Sequence, residues 1–304
     1  MSAPGARPRL ILGTRGSDLA LAQARLVENA LRSARPDFDI ETKIIRTSGD
    51  ERAAGAAALI DLRAGRKGMF TREIERSLLG HEVDIAVHSA KDLPSEMTAG
   101  LVITAVLPRA SAGDVLISKN GTFAGRGRIG TSSVRRQQQV RRKWPNAEPV
   151  ELRGNVPTRL RKLAEAPELS AIVLARAGLE RLALTFDWQI EDLALSEFVP
   201  AGGQGIIAIE TRRDDLETAK MISMINHEPT LRCLRAEREF LRLLAADCNS
   251  PVGVLARIDS GLMKMNAQLF PPYVPDFCEA EISAAADDAP EDVAARLMEK
   301  LNVH

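Results

Sequence analysis

At 304 residues, 45% of them hydrophobic, the chain is long enough to bury more than one core, and two or three domains are expected. Its 41 Lys and Arg balance 41 Asp and Glu, and aromatic residues make up only 4%, which argues against a protein that coats nucleic acid through counterion release. No apolar run approaches transmembrane length, residues 1–8 lack the apolar stretch of a signal peptide, and the cysteines at 233, 248 and 278 have no metal-ligand spacing, so a soluble, metal-free protein of a reducing cytoplasm is expected.

Residues 9–12 form the first strand-like run. Gly13-Thr14-Arg15-Gly16-Ser17 follows, where Ser17 is placed to cap a helix with Leu21, Ala24, Val27 and Leu31 on its apolar face. A second strand is expected over 40–46. Residues 49–68 are rich in Ala, Gly and charge and end in Gly65-Arg66-Lys67-Gly68, before a helix at 69–79; this segment reads either as a lid carrying Lys67 or as a loosely packed connection. Val83 to Val87 is short, apolar and β-branched, hence a core strand, and Pro94 forbids its continuation. Between them, His88-Ser89-Ala90-Lys91-Asp92-Leu93 sets a cation beside a carboxylate where the strand runs out. Strand ends in α/β proteins are where sites form. A neighbouring cation favours the ionised carboxylate and desolvation opposes it, so Asp92 is poised to stabilise a cation or to pass a proton; the plainer alternative is a surface turn with an ion pair.

Further strands are expected at 115–118, 128–130, 150–152 and 171–174. Thr131-Ser132-Ser133-Val134-Arg135-Arg136 sets hydroxyls and a helix start beside two guanidinium groups. Arg153-Gly154-Asn155-Val156-Pro157-Thr158-Arg159 repeats the device, with Asn155 as cap, Pro157 in the first turn, and Val156, Leu160 and Leu163 on the buried stripe. Each such unit alone is an ordinary helix start with solvated arginines. With the Arg15 segment they describe an anion site, because helix N-termini and guanidinium forks both suit carboxylate or phosphate oxygens. Arg141, Arg142 and Lys143 read as a solvated helix end. Pro200-Ala201-Gly202-Gly203-Gln204-Gly205 lacks the GxGxxG spacing and reads as a hinge or a close backbone approach before the apolar 206–209.

Alternation of strand and helix up to about residue 220 gives a parallel-dominated α/β architecture, and the remainder reads as a small α+β domain. There, residues 237–245 are helical and lead into Asp247-Cys248-Asn249-Ser250-Pro251; two strand-like runs flank a hairpin turn at Asp259-Ser260-Gly261, and Pro290 opens a helix with Val293, Leu297 and Leu301 on one face. Cys233 lies in a helical pattern and Cys278 in a strand-like one. The loop residue Cys248 is therefore the better candidate for covalent chemistry.

Segments 14–17, 65–70, 86–94, 129–137, 152–160, 177–182 and 200–205, followed by the cysteine loop at 248–253, resemble in composition and order the porphobilinogen deaminases, or hydroxymethylbilane synthases, of tetrapyrrole biosynthesis. The resemblance implies two lobes similar to those of type II periplasmic binding proteins, with parallel-dominated mixed sheets, and a small C-terminal α+β domain. Lobe 1 would be 1–107 completed by 206–222, lobe 2 would be 108–205, and the third domain 223–304. It implies that four porphobilinogen units are deaminated and joined head to tail on a dipyrromethane cofactor held by a thioether to Cys248, and that linear hydroxymethylbilane is then released by hydrolysis. Asp92 would be the catalytic acid, protonating the leaving amine, stabilising the azafulvene cation and helping to deprotonate the coupled pyrrole. Lys91, Ser89, Thr131, Ser133, Arg135, Arg136 and Gly154 would hold the cofactor. Arg15, Ser17, Lys67, Arg153, Arg159, Arg181 and Gln204 would hold substrate carboxylates. The family likeness further implies a monomer that hands its product to uroporphyrinogen-III synthase, with no nucleic-acid or membrane partner.

Four positions depart from the family pattern. Arg66 and Asp247 stand where Gly is usual, Arg72 replaces a frequent Lys, and Gly113 replaces a basic residue; these bear on lid mobility, carboxylate contacts and the cofactor loop. A bilobal ligand-binding protein would explain an anion cleft but has no use for Cys248 as an anchor. A nucleic-acid-binding protein would explain only the arginine runs.

Overall fold

The structure is a computed structural model that describes residues 9–47, 71–119, 121–246, 250–270 and 277–301. It separates into two compact units, one of residues 1–108 with 206–231 and the other of 109–205 with 232–304.

The first unit begins with β1 (Arg9–Arg15), α1 (Asp18–Ala34) and β2 (Asp39–Ile45). Ser17 caps α1 by accepting from the Ala20 N–H, and the stripe Ala20, Ala24, Val27 and Leu31 is buried at helical spacing. β1 outruns the expected 9–12 because its parallel register with β2 continues to Arg15 opposite Ile45. Next come α2 (Arg72–Leu79) and β3 (Ile85–Ser89), which ends in one 3-10 turn, Ala90–Asp92, before β4 (Leu101–Val106). β3 runs past the expected end at Val87, drawing His88 and Ser89 into the ladder. Both are paired with the strand Ile207–Arg212 that returns much later in the chain.

The second unit opens with β5 (Asp114–Ser118), β6 (Arg126–Gly130), α3 (Val134–Lys143), β7 (Asn146–Val150), α4 (Val156–Glu165), β8 (Leu169–Ala175), α5 (Arg176–Leu182) and β9 (Gln189–Asp192). β7 lies at 146–150 rather than the expected 150–152. It is an edge strand, where Pro149 removes no ladder hydrogen bond from the interior of the sheet. β9 is a short polar edge strand with no apolar run to announce it.

The chain then supplies β10 (Ile207–Arg212) and α6 (Leu216–Ser223) to the first unit, and α7 (Glu228–Leu243) leads on to β11 (Val252–Asp259), β12 (Leu262–Leu269), β13 (Cys278–Ala285) and α8 (Pro290–Lys300). The first sheet has the order β2-β1-β3-β10-β4, in which β10 alone runs antiparallel. The second has the order β7-β6-β8-β5-β9, in which β5 alone runs antiparallel. The third, β11-β12-β13, is wholly antiparallel, so the chain has the expected α/β class with a small α+β segment at its end. Its first hairpin turns on Ser260 and Gly261, at φ 51° and 77°, the paired left-handed geometry of a two-residue turn.

Each sheet has its own core. Leu10, Leu12, Val27, Leu31, Ile85 and Ile209 pack together in the first. Val115, Ile117, Leu163 and Ile172 do so in the second, and Phe240, Met263, Met265 and Leu297 in the third. At about 25 cal/mol per Å² of apolar surface, such burial is the main force holding each sheet to its helices.

Candidate active site

In the first unit, parallel β1 and β3 end side by side, which brings Arg15 and Ser89 to the same edge of the sheet. A pocket there is lined by Arg15, Ser17, Gln23, Thr71, His88, Ser89 and Asp92. The Ala90 N–H donates to Ile206 O at 3.0 Å and the Leu93 N–H to Ala90 O at 3.3 Å, fixing the 3-10 turn that carries half-buried Lys91 and Asp92. Gln23 Nε2 donates to the Ser89 hydroxyl at 2.8 Å, locking α1 to the end of β3. The structure thus gathers Arg15, Ser17, Ser89 and Asp92 in one place. Gln23, Thr71 and His88 were not expected there. Gln23 interrupts the buried stripe of α1 and His88 interrupts an apolar strand, and a polar residue on a buried face is the signal that would have found both.

In the second unit, β6 and β7 end in parallel, so the loops 131–133 and 151–155 share an edge. The Thr131 N–H donates to Val150 O at 2.9 Å, the Ser133 hydroxyl caps α3 by accepting from the Arg136 N–H, and Asn155 caps α4 by accepting from the Thr158 N–H at 2.9 Å. Arg159 ties the loops together, donating from Nε to Gly154 O at 2.7 Å and from Nη2 to the Ser132 hydroxyl at 3.4 Å. Gly154 has φ 124°, and a Cβ there would stand 2.7 Å from the Thr158 methyl, so no side chain fits. Arg153 is exposed and donates to Glu151 at 2.7 Å.

Arg135 and Arg136, expected as ligand-facing cations, are buried, and each has a carboxylate partner within the unit. Asp114, at the start of β5, accepts from Arg135 Nη1 at 2.9 Å on one oxygen and from Arg136 Nη2 at 2.7 Å on the other. Gln204 Nε2 adds a third donor at 2.8 Å, and Arg135 also donates to Gln139 Oε1 and Val199 O. Burial opposes the charge on Asp114, but the two guanidinium groups outweigh it and hold the carboxyl well below the usual range. Burial likewise pushes Arg135 down, against the pull of Asp114. The Nε donors of Arg135 and Arg136 have no hydrogen-bond partner among the described residues. A charged residue heading an apolar strand was the sequence signal for Asp114. Arg181 Nη2 donates to Gly205 O at 2.6 Å, and Gln204 Nε2 also donates to Ala112 O at 2.7 Å, so both secure the glycine-rich turn. A Cβ on Gly205 would stand 2.7 Å from Ala110 O, the close backbone approach expected of that stretch.

Lys67, Arg66, Asp247 and Cys248 lie outside the described residues, as does most of the segment read as a lid. Arg72 heads α2, and the Gly113 carbonyl accepts from the Arg176 N–H at 3.1 Å. The Cys233 thiol is buried and pushed up to about 11, first by burial and then by Glu237, which makes it a poor nucleophile. Among the described residues no group of three or more His, Cys, Asp or Glu could hold a metal ion, and no helix is long and apolar enough to cross a membrane.

A family model described as porphobilinogen deaminase, dipyromethane cofactor binding domain, matches residues 10–220, and one described as porphobilinogen deaminase, C-terminal domain, matches 231–302. The porphobilinogen deaminase of Syntrophomonas wolfei is 47% identical over 257 residues, covering 83% of this chain and 82% of that one. That of Desulforudis audaxviator is 42% identical over 301 residues, covering 96% and 95%. Among solved structures, the methionine binding protein MetQ aligns with a TM-score of 0.42 at 12% identity, over 71% of this chain and 89% of that one.

Proposed function

This chain belongs to the porphobilinogen deaminase family, and on that premise we propose that it is a transferase of tetrapyrrole biosynthesis that deaminates porphobilinogen and joins four units head to tail before releasing linear hydroxymethylbilane. The observation that carries this reading is the half-buried Asp92 carboxylate on a strand-end turn, in one pocket with Arg15, Ser17 and Ser89. Its conjugate acid gives a proton to the amine as the C–N bond breaks. The carboxylate left behind faces the cation developing on the substrate methylene carbon and stabilises it. It then takes up the proton released where the new C–C bond forms, which restores the acid for the next unit.

A dipyrromethane group held by Cys248 would supply the pyrrole carbon that accepts the first unit. The donor set suits its carboxylates: Arg135 and Arg136 keep Nε donors that no described residue engages, Thr131 and Ser133 bring hydroxyls to a helix start, and Gly154 leaves bare backbone. Within the first unit, Lys91 and Ser89 are the proposed cofactor contacts on the turn that carries Asp92. Arg15, Ser17, Lys67, Arg153, Arg159, Arg181 and Gln204 hold the acetate and propionate groups of substrate.

Three separate sheets with separate cores support a division into lobe 1 (1–107 with 206–222), lobe 2 (108–205) and a C-terminal domain (223–304) that carries Cys248. The free thiols of Cys233 and Cys278 suit a reducing cytoplasm, where a monomer would hand its product to uroporphyrinogen-III synthase.

Turnover of porphobilinogen by the purified protein tests the reading. Wild type should release ammonia and hydroxymethylbilane, and Asp92→Asn should fold, bind substrate and lose about 10²–10⁴-fold or more in rate. Near-normal turnover by Asp92→Asn would sink the assignment of the acid.

A further inference from the structure

A second titratable side chain lines the Asp92 pocket, and nothing in the reaction described above uses it. His88 sits one strand residue before Ser89 and four residues before Asp92, and its Nε2 lies 2.9 Å from Glu210 Oε2. Both side chains are almost wholly buried, at 3% and 0% exposure. The sheet explains why they meet. Ile85, Val87, Ile207 and Ile209 share one core, on one face, while the alternate residues of β3 and β10 face the other way. Ala86 pairs with Glu210 and His88 with Ala208, so His88 and Glu210 are diagonal neighbours on that opposite face.

Neither oxygen of Glu210 accepts a regular hydrogen bond from any described residue, and His88 Nε2 has no other partner among them. A bare buried carboxylate is costly, and the imidazole is the polar group set against this one. That approach turns Nε2 toward Glu210 and sets the plane of a ring that lines the pocket. Replacing such a buried pair by two well-packed apolar residues is often neutral or stabilising, so packing alone does not account for it.

We propose that Glu210 and His88 form a positioning pair for Asp92, in which the carboxylate locks the imidazole so that the wall of the pocket is set before substrate arrives. His88 is thus a positioning residue for the deamination step, acting on how the substrate amine meets Asp92. The inference rests on the proposed reaction. A pocket wall that can rotate misplaces the substrate amine relative to Asp92, and a misplacement of about 1 Å costs on the order of 10²-fold in rate. The loss falls on kcat rather than KM, because neither His88 nor Glu210 is among the groups that hold the substrate carboxylates.

The test uses the primer-loaded full chain. The double variant His88→Leu with Glu210→Leu removes the pair without leaving a buried charge. It should load its primer fully by intact mass, melt at or above the wild-type temperature, and lose about 10–100-fold in kcat with KM within about twofold. His88→Gln, whose amide nitrogen stands where Nε2 stood, should keep more kcat than His88→Leu alone. A third readout does not depend on turnover. The chain has four histidines, so ¹⁵N-labelled wild type should show one exchange-protected ring N–H that disappears in His88→Gln and in Glu210→Leu. A double variant that turns over like wild type, or one that does not fold, makes the pair a packing feature and overturns the proposal. If wild type itself released no ammonia from porphobilinogen, the proposed reaction would fail instead, and the ring N–H would still report whether the pair exists.

Discussion

Asp114 Oδ1 accepts from Arg136 Nη2 at 2.7 Å, with the carboxylate wholly out of water. The contact joins the first residue of β5 to α3, and the same oxygen receives Gln204, so one buried carboxylate organises three separate stretches of chain. Such a network holds only when complete, since removing one member leaves an uncompensated charge in a low dielectric.

Asp114→Ala should therefore destabilise the protein by about 3–5 kcal/mol, because Arg135 and Arg136 would face each other with no anion between them. The pH dependence has a definite sign. The folded carboxyl is held below its unfolded value of about 3.9, so its contribution is complete above about pH 4 and is lost as pH falls toward the folded value. Denaturant melts of wild type and variant should differ by a constant amount near neutrality and converge only in strong acid. A gap that closed between about pH 8 and pH 5 would point to another group.

Arg135→Leu and Arg136→Leu should each produce two defects at once. Primer loading should fall, and stability should fall with it, because each substitution strips a cation from buried Asp114. Arg153→Leu is the contrast: its guanidinium is exposed and pairs with neighbouring Glu151, so the melting temperature should stay within about 1–2 °C while substrate handling weakens. Comparing intact mass with melting curves for the three variants separates the two effects. Unchanged stability in both buried-arginine variants would contradict the network.

What could be seen in advance divides along local and distant causes. Ser17, Ser133, Asn155 and Pro290 mark helix starts through contacts within a few residues, and each is found at the helix start its chemistry foretold. The Ser260-Gly261 hairpin is equally local. Asp114 meets Gln204 across 90 residues, and Glu210 meets His88 only because β10 returns antiparallel beside β3; neither pairing leaves a mark in the periodicity of its own segment. The arginine doublet advertised charge without revealing that it was buried. The strand at 146–150 was misplaced because edge position tolerates Pro149, a residue that otherwise argues against a strand.

Gly205→Ala should destabilise the second unit through two effects that a control can separate. Gly205 has φ +84°, and its Cβ would lie 2.7 Å from Ala110 O and 2.8 Å from Ser111 O, both backbone atoms that cannot swing aside. Gly261 has φ +77° with nothing within 4 Å of a Cβ, so Gly261→Ala carries the backbone strain alone, about 1–3 kcal/mol. The melting temperature should fall further for Gly205→Ala than for Gly261→Ala. Equal losses would mean that the turn before Ile206 relaxes and that the close approach is not a constraint.

The three cysteines give the last prediction, because they differ in what their surroundings allow a sulfur to do. Covalent attachment needs thiolate character and access. Cys233 has neither: it is buried in α7 against Phe240 and the third sheet's core, and its thiol is pushed up to about 11. Cys278 begins β13, paired with Leu269, where its side chain packs at the edge of the same core. Cys248, within the polar sequence Asp247-Cys248-Asn249-Ser250-Pro251 and outside the described residues, is the proposed anchor. Cys248→Ala should give a folded protein without the dipyrromethane mass and without turnover. Cys233→Ala and Cys278→Ala should keep both, with Cys233→Ala losing about 1 kcal/mol or somewhat more for the buried sulfur and Cys278→Ala less. Intact mass followed by peptide mapping of all four proteins decides the matter. An adduct on Cys233 or Cys278, or full activity with no adduct, would remove Cys248 from the mechanism and leave its loop without an assigned role.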